Sequence, residues 1–103
     1  MKKPYKIRSN AIRKSAWGET CSLRIPSVCN GNDETVVFAH LPGNKGISTK
    51  NHDLFGVYAC SHCHDWLDGR SNYAVMDYYS ELLRALQETQ LKLYEKGILE
   101  VLK

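Results

Sequence analysis

The stretch CSHCHDWLD, residues 60–68, decides the fold and contains two candidate pairs of metal ligands. Cys60 and Cys63 have two residues between them, a spacing that lets two thiolates bind one ion. His64 and Asp68 are four residues apart, so on a helix they lie on one face and can also bind one ion. An exposed pair of surface side chains is the other interpretation of that spacing. The stretch therefore predicts a cysteine knuckle followed directly by a helix with a second candidate site.

The remaining cysteines extend the first candidate site. The chain has four cysteines in all, and Cys21 and Cys29 have seven residues between them, a wider gap than is common in zinc sites. Four thiolates make a closed tetrahedral shell, which favours structural Zn²⁺ over catalysis. The alternative, two disulfides, needs an oxidising compartment that nothing in the sequence indicates. The sequence therefore predicts one zinc site, made by Cys21, Cys29, Cys60 and Cys63.

Length and composition indicate one small domain. A chain of 103 residues buries a modest core, which a bound metal would supplement. No apolar run approaches the length that spans a membrane, and the basic N-terminus lacks the apolar segment of a signal peptide. We therefore expect a cytoplasmic protein with no membrane partner.

The net charge of +3 is unevenly distributed along the chain. Seven of the fourteen Lys and Arg residues lie in residues 1–24, together with one acid, Glu19, so this segment carries +6 and the rest −3. A basic arm on a weakly acidic body is suited to the phosphate backbone of nucleic acid. A solvated tail has the same composition and is the alternative interpretation.

Three extended segments and two helices follow from the residue pattern. TVVFAHL (residues 35–41) and LFGVYAC (residues 54–60) are predicted to pair as a hairpin, and residues 21–29 to form a short strand broken at a proline. A short helix should end at Gly69, and a longer one should reach Lys96 with Gly97 as its stop.

The long C-terminal helix carries an apolar stripe, interrupted by Gln90. We expect this stripe to pack in the core, and the alternative is a homodimer seam. Its members are Met76, Tyr79, Leu83, Leu86 and Leu93.

His40 ends the strongest predicted strand, where a polar side chain beside an apolar run indicates a functional role. A strand-end histidine that faces a helical His/Asp pair, just after a zinc knuckle, is suited to phosphodiester hydrolysis.

The motifs AHL, KNHDL and CSHCHDWLD, in this order, resemble those of the HNH, or ββα-metal, endonucleases. The likeness includes the YbcO-like nucleases of prophages, whose pattern also matches residues 21–41, and it covers about residues 13–70. It implies an α+β fold: a small zinc-stabilised ββα-metal unit with a long C-terminal helix. The implied organisation is a basic arm (1–16), a zinc-bound HNH domain (17–70) and a helical extension of the same domain (71–103).

Carried over residue by residue, the resemblance makes His40 the general base and Asp53 the residue that orients it or braces the loop. His64 and Asp68 become ligands of a separate catalytic ion, Mg²⁺ or Mn²⁺. This chain has Ala39 where many family members have an Asp or His as a further ligand. Either the ion has fewer protein ligands here, or His40 is itself a ligand and the base lies elsewhere.

The sequence thus predicts a metal-dependent endonuclease that hydrolyses phosphodiester bonds in DNA, encoded by a phage or prophage and present in the bacterial cytoplasm. Lys45, Lys50 and Arg70, with the arm, are expected to hold the DNA backbone with little sequence specificity. One alternative is a zinc-stabilised nucleic-acid-binding module that has lost catalysis. Another is a structural zinc protein that binds a partner protein through its long helix.

Overall fold

The computed structural model describes residues 7–42, 51–69, 75 and 77–102. They form a small mixed α+β unit with one two-stranded sheet and a long C-terminal helix. The elements are helix α1 (Asn10–Lys14), a 3-10 turn (Asp33–Thr35), strands β1 (Val37–His40) and β2 (Gly56–Ala59), and helices α2 (Ser61–Leu67) and α3 (Tyr79–Glu95). None of the helices in these ranges is long and apolar enough to cross a bilayer.

The two strands pair antiparallel, which confirms the predicted hairpin. The register places His40 opposite Gly56 at one end of the ladder. A Cβ atom at Gly56 would overlap the ring of Phe38, so any other residue at this position would displace the ring. The Phe38 ring in turn meets the His40 ring edge to face, with centroids 5.5 Å apart. The glycine therefore supports the histidine indirectly.

Strand β2 is buried at all four positions, and its outer edge is closed by groups from outside the sheet. The Tyr58 N–H donates to Thr89 Oγ1 (3.1 Å), and the Ser22 N–H donates to the Tyr58 carbonyl (2.8 Å). Because a buried backbone group without a partner is costly, these two bonds allow β2 to be buried along its whole length.

Helix α3 packs on β2 through a face that the apolar stripe does not fully predict. Tyr79 and Leu83 are 69% and 52% exposed. Thr89 is buried instead, because its hydroxyl accepts the Tyr58 N–H of β2. Gln90 interrupts the stripe because its amide donates to the Leu54 carbonyl (2.9 Å). Leu93 is buried as predicted, Leu86 is partly buried, and Met76 lies outside the described residues. The homodimer through this helix stays a prediction.

The C-terminal ends of both predicted helices are close to the predicted positions. Helix α3 ends at Glu95, and Gly97 follows with φ = 77°, a left-handed conformation that favours glycine at a helix stop. Helix α2 is followed by Asp68 and then Gly69, but it begins at Ser61, earlier than predicted, because the Cys60 sulfur accepts the Cys63 N–H as its N-terminal cap.

The strand expected over residues 21–29 is absent from that described stretch, which runs through bends and turns. Arg24 (φ = 47°) and Ser27 (φ = 67°) adopt left-handed conformations that break an extended run. Arg84 on α3 holds the curled backbone by donating to the carbonyls of Ser22 (2.9 Å) and Leu23 (2.8 Å). The expectation is wrong because the segment bends to bring its cysteines inward.

We predict that Thr89→Val lowers the free energy of unfolding by about 1–3 kcal/mol, because the Tyr58 N–H stays buried and loses its acceptor. The shape of the side chain is nearly unchanged. Thr20→Val makes the same substitution at an exposed position and should cost less than about 0.5 kcal/mol. Urea denaturation measures both, and equal stability of the two variants would contradict the role of the hydroxyl.

Candidate functional site

The four cysteine sulfurs come together at the start of α2. All four Sγ atoms lie within 4.8 Å of one another, and the Cys29 and Cys60 sulfurs are 3.9 Å apart. Sulfurs about 2.3 Å from a tetrahedral zinc ion lie about 3.8 Å apart. The cysteines are free thiols, three of them buried. The cluster can therefore hold one metal ion, and the donor set fits zinc.

Backbone N–H groups surround these sulfurs and stabilise negative charge on them. The Cys60 sulfur accepts the N–H groups of Asn30 and Cys63, both at 3.4 Å, and Arg24 N–H donates to the Cys21 sulfur at 3.5 Å. Burial raises the pKa of the Cys60 thiol, but the N–H groups of Asn30 and Cys63 outweigh it and lower the pKa to about 7. Burial raises the pKa of Cys63 above its ordinary value. Metal binding would displace the remaining thiol protons.

Helix α3 braces the cysteine loop with charged side chains that the sequence analysis missed. The Arg24 guanidinium makes two bonds to the Glu88 carboxylate, at 3.0 and 2.8 Å, and also donates to the Cys21 carbonyl at 3.3 Å. Arg84, which binds the carbonyls of the same loop, lies four residues before Glu88. The i, i+4 spacing of Arg84 and Glu88 predicts only that they pair with each other on the helix. It gives no indication that both also bind the cysteine loop.

A second cluster forms around the carboxylate of Asp53, which is 1% exposed. Its Oδ1 atom lies 2.7 Å from His40 Nε2, whereas Oδ2 accepts the Ser9 N–H at 2.6 Å and Arg13 Nη1 at 2.8 Å. Burial raises the pKa of Asp53, but the hydrogen bonds from His40 and Ser9 and the charge of Arg13 outweigh it and hold the pKa below its usual value. The carboxylate is thus ionised and bound on both oxygens.

Hydrogen bonds on both sides of Asp53 keep this cluster in place. The Asp53 N–H donates to the Ile7 carbonyl, and the Ile7 N–H donates to His52 Nδ1, both at 2.9 Å. The Asn51 amide donates to the Leu41 carbonyl at 3.3 Å and ties this segment to the residue after β1. The N-terminal segment and residues 51–53 therefore meet at the end of the sheet.

The helical pair is also formed, at the surface. His64 Nε2 lies 3.0 Å from Asp68 Oδ2, and the two side chains are 34% and 59% exposed. Two ligands at right angles around an ion, each about 2.1 Å from it, would lie about 3.0 Å apart. A direct hydrogen bond between the two side chains gives the same separation.

Helix α2 packs against both strands, so His40 and His64 lie on neighbouring elements. Across residues 7–42, 51–69, 75 and 77–102, however, the cysteines are the only group of three or more His, Cys, Asp or Glu side chains close enough to bind one ion. Ala39 is 1% exposed and belongs to the core, on the opposite face of β1 from His40. The candidate DNA contacts Lys45, Lys50 and Arg70 lie outside the described residues.

Comparison with known proteins gives consistent matches. The family model described as "Putative nuclease YbcO" matches residues 10–97. Two curated relatives, "Putative nuclease YbcO" of Escherichia coli (strain K12) and "Putative nuclease ybcO" of Enterobacteria phage 82, are each 42% identical over 92 residues, which is 86% of this chain and 96% of theirs. A solved structure, "Structure of a putative bacteriophage protein from Escherichia coli str. K-12 substr. MG1655", is similar with a TM-score of 0.65 and 40% identity, over 84% of this chain and all of that one.

The lowered pKa of Asp53 predicts how its variant responds to acid. A carboxyl whose pKa falls on folding stabilises the protein above its ordinary pKa of about 3.9, and this contribution is lost as the pH falls toward the lowered value. We expect Asp53→Asn to be less stable than the parent at pH 5, and the difference to shrink below about pH 4 as the Asp53 carboxyl is protonated.

Denaturation curves of the two proteins at each pH measure this difference, and protonation of the cysteines largely cancels because it affects both. Asp65→Asn changes an exposed acid on α2 and should show no such trend. A difference that is the same at pH 3 and pH 5 would contradict a stabilising Asp53 carboxylate.

Proposed function

The chain belongs to the YbcO family, and we propose that it is a metal-dependent endonuclease of the HNH type that hydrolyses phosphodiester bonds in DNA. The family description and the relatives' names support a nuclease associated with bacteria and their phages. The observation that carries the proposal is the bond between His40 and the buried Asp53 carboxylate, at the end of a strand on which the helix of His64 and Asp68 packs.

The bond to Asp53 prepares His40 to act as a general base. An ionised carboxylate can only accept, so the neutral ring carries its proton on Nε2 and leaves the lone pair on Nδ1. None of the described residues is hydrogen-bonded to that second nitrogen. His40 Nδ1 would take a proton from water, and Asp53 would stabilise the imidazolium that forms.

The reaction is an in-line displacement at phosphorus. The water oxygen forms a bond to phosphorus as its proton passes to His40, and the P–O3′ bond breaks. The electron pair of that bond stays on O3′, which takes a proton from solvent. A divalent ion held by His64 and Asp68, Mg²⁺ or Mn²⁺, would supply the Lewis acidity that the crowded phosphate needs.

Structural zinc at the four cysteines would fix the geometry of this site. Soft thiolates in a closed shell select zinc and leave no open position for chemistry. His64 follows Cys63 directly in α2, so an ion at the cysteines would also hold the first ligand of the catalytic ion. The structural ion would thus position the catalytic one.

The basic arm would hold the substrate by its phosphates. Arg8, which precedes α1, and Lys14, its last residue, are exposed, and Lys45, Lys50 and Arg70 are further proposed contacts. Phosphate contacts position a duplex without reading its sequence, so we propose little sequence specificity.

A nucleic-acid-binding module without catalysis is the second candidate. It is favoured by Ala39, which faces the core and supplies no third ligand to the proposed ion. Binding of DNA that weakens steeply with salt, without nicking of plasmid DNA in Mg²⁺ or Mn²⁺, would select this candidate.

We predict that the purified protein contains one zinc ion per chain, measured by atomic emission. Cys63→Ser should lose the ion and the cooperative unfolding transition, because binding and folding of such sites are coupled. Ser61→Ala changes a neighbour in the same helix and should retain both. Disulfide bonds between these cysteines, or metal in Cys63→Ser equal to the parent, would contradict the zinc site.

We predict that His40→Ala lowers the cleavage rate by about 10²- to 10⁴-fold, the usual cost of losing a general base, and that added metal does not restore it. His64→Ala should also lose activity, but excess Mn²⁺ should partly restore it by filling a weakened site. His62→Ala removes an exposed histidine from the same helix and should cut plasmid DNA as the parent does.

Rescue of both His40→Ala and His64→Ala by Mn²⁺ would make His40 a ligand instead of the base. If both variants cut as well as the parent, the assigned catalytic residues are wrong.

A further inference from the structure

We propose that Arg13 is a positioning residue of the active site, which holds the Asp53 carboxylate in the orientation that His40 requires. This inference rests on the proposed function, because it concerns the same base. It reassigns Arg13, which the sequence alone groups with the phosphate-binding arm.

The Asp53 carboxylate lies between β1 and α1. One carboxylate oxygen binds His40 on β1, and the other binds Arg13 on α1 and the N–H of Ser9, which caps that helix. A carboxylate can turn about its terminal bond unless both oxygens are held. The contacts from α1 therefore determine the direction in which the first oxygen faces His40.

Burial makes these contacts necessary. Asp53 is 1% exposed, so solvent has little access to replace a lost partner. The Arg13 side chain is 37% exposed and its second terminal nitrogen is held by the Asn10 side chain, one helical turn before it. Asn10 thus holds Arg13, Arg13 holds the Asp53 carboxylate, and Asp53 binds His40.

Charge adds to this role. A guanidinium at 2.8 Å keeps a buried carboxylate ionised, and an ionised Asp53 accepts the proton on His40 Nε2. A neutral or rotated carboxyl group would leave the tautomer of His40 undetermined. Arg13 thus acts on the proposed base through Asp53 without touching the substrate.

The first measurement separates positioning from phosphate binding, by steady-state cleavage of duplex DNA with Mn²⁺ at one salt concentration. Arg13→Ala and Arg8→Ala each remove one positive charge from the same segment. We expect Arg8→Ala to raise KM with kcat unchanged, and Arg13→Ala to lower kcat by roughly 10- to 100-fold, as for partners that orient a catalytic ligand. Arg13→Lys keeps the charge but loses the planar fork, so it should recover part of kcat.

The second measurement does not depend on cleavage. The ¹⁵N NMR shifts of the His40 ring, assigned with His40→Ala, report which nitrogen carries the proton. We expect the Nε2–H form in the parent and in Arg8→Ala, and a mixture of forms in Arg13→Ala. Asn10→Ala, which loosens the guanidinium without removing it, provides a milder variant if Arg13→Ala does not fold.

The outcomes distinguish this inference from the proposed function. If the parent does not cut DNA but Arg13→Ala or Asn10→Ala still changes the His40 tautomer, Arg13 positions His40 and the proposed activity is wrong. If the parent cuts DNA, an Arg13→Ala protein with the kcat of Arg8→Ala and an unchanged ring overturns the inference. For an Arg13→Ala that does not fold, an unchanged ring in Asn10→Ala and full kcat in Arg13→Lys overturn it equally.

Discussion

The convergence of four cysteine sulfurs at the start of α2 is the constraint on which the rest of this structure depends. Two of the cysteines come from a loop and two from the junction of β2 and α2, so an ion bound there would join the loop to that junction. The Cys60 sulfur also caps α2, the helix that carries His64. In a chain of 103 residues, with a modest apolar core, such a cross-link would replace much of the packing that a larger domain has.

A buried carboxylate provides the second organising contact, and it is electrostatic. Asp53 can remain ionised in the interior because Arg13, Ser9 and His40 bind its two oxygens. If one partner is removed, the others still bind the carboxylate, but the orientation of its two oxygens changes. The same contact therefore contributes to stability and sets the orientation of the proposed base.

The two clusters lie at opposite ends of β2, and this strand links them. The segment of Asp53 precedes it and Cys60 follows it, and α3 closes its outer edge through Thr89. A fully buried strand with both edges satisfied holds the two ends at a constant separation. A nuclease built on it would have its base beside the first residue of β2 and the first ligand of its ion on α2, the helix that follows this strand and packs against both strands.

Local chemistry in the sequence determined several features of the protein. The Cys60/Cys63 spacing, the β-branched run before His40, the i, i+4 pair of His64 and Asp68 and the glycine stop after α3 are short-range patterns, and each appears in the structure. They could be predicted because the residues involved are neighbours along the chain or recur with the period of one element.

Only the tertiary structure decided which distant residues meet. Arg13 and Asp53 are 40 residues apart, and Arg84 and Ser22 are 62 apart, so no periodic signal in the sequence joins them. Tertiary contacts also decided the curled path of residues 21–29, whose carbonyls Arg84 binds. They likewise decided the buried face of α3, because Thr89 accepts an N–H from the edge of β2. Partners of this kind depend on how whole elements dock, because buried polar groups must be satisfied by whichever segment lies against them.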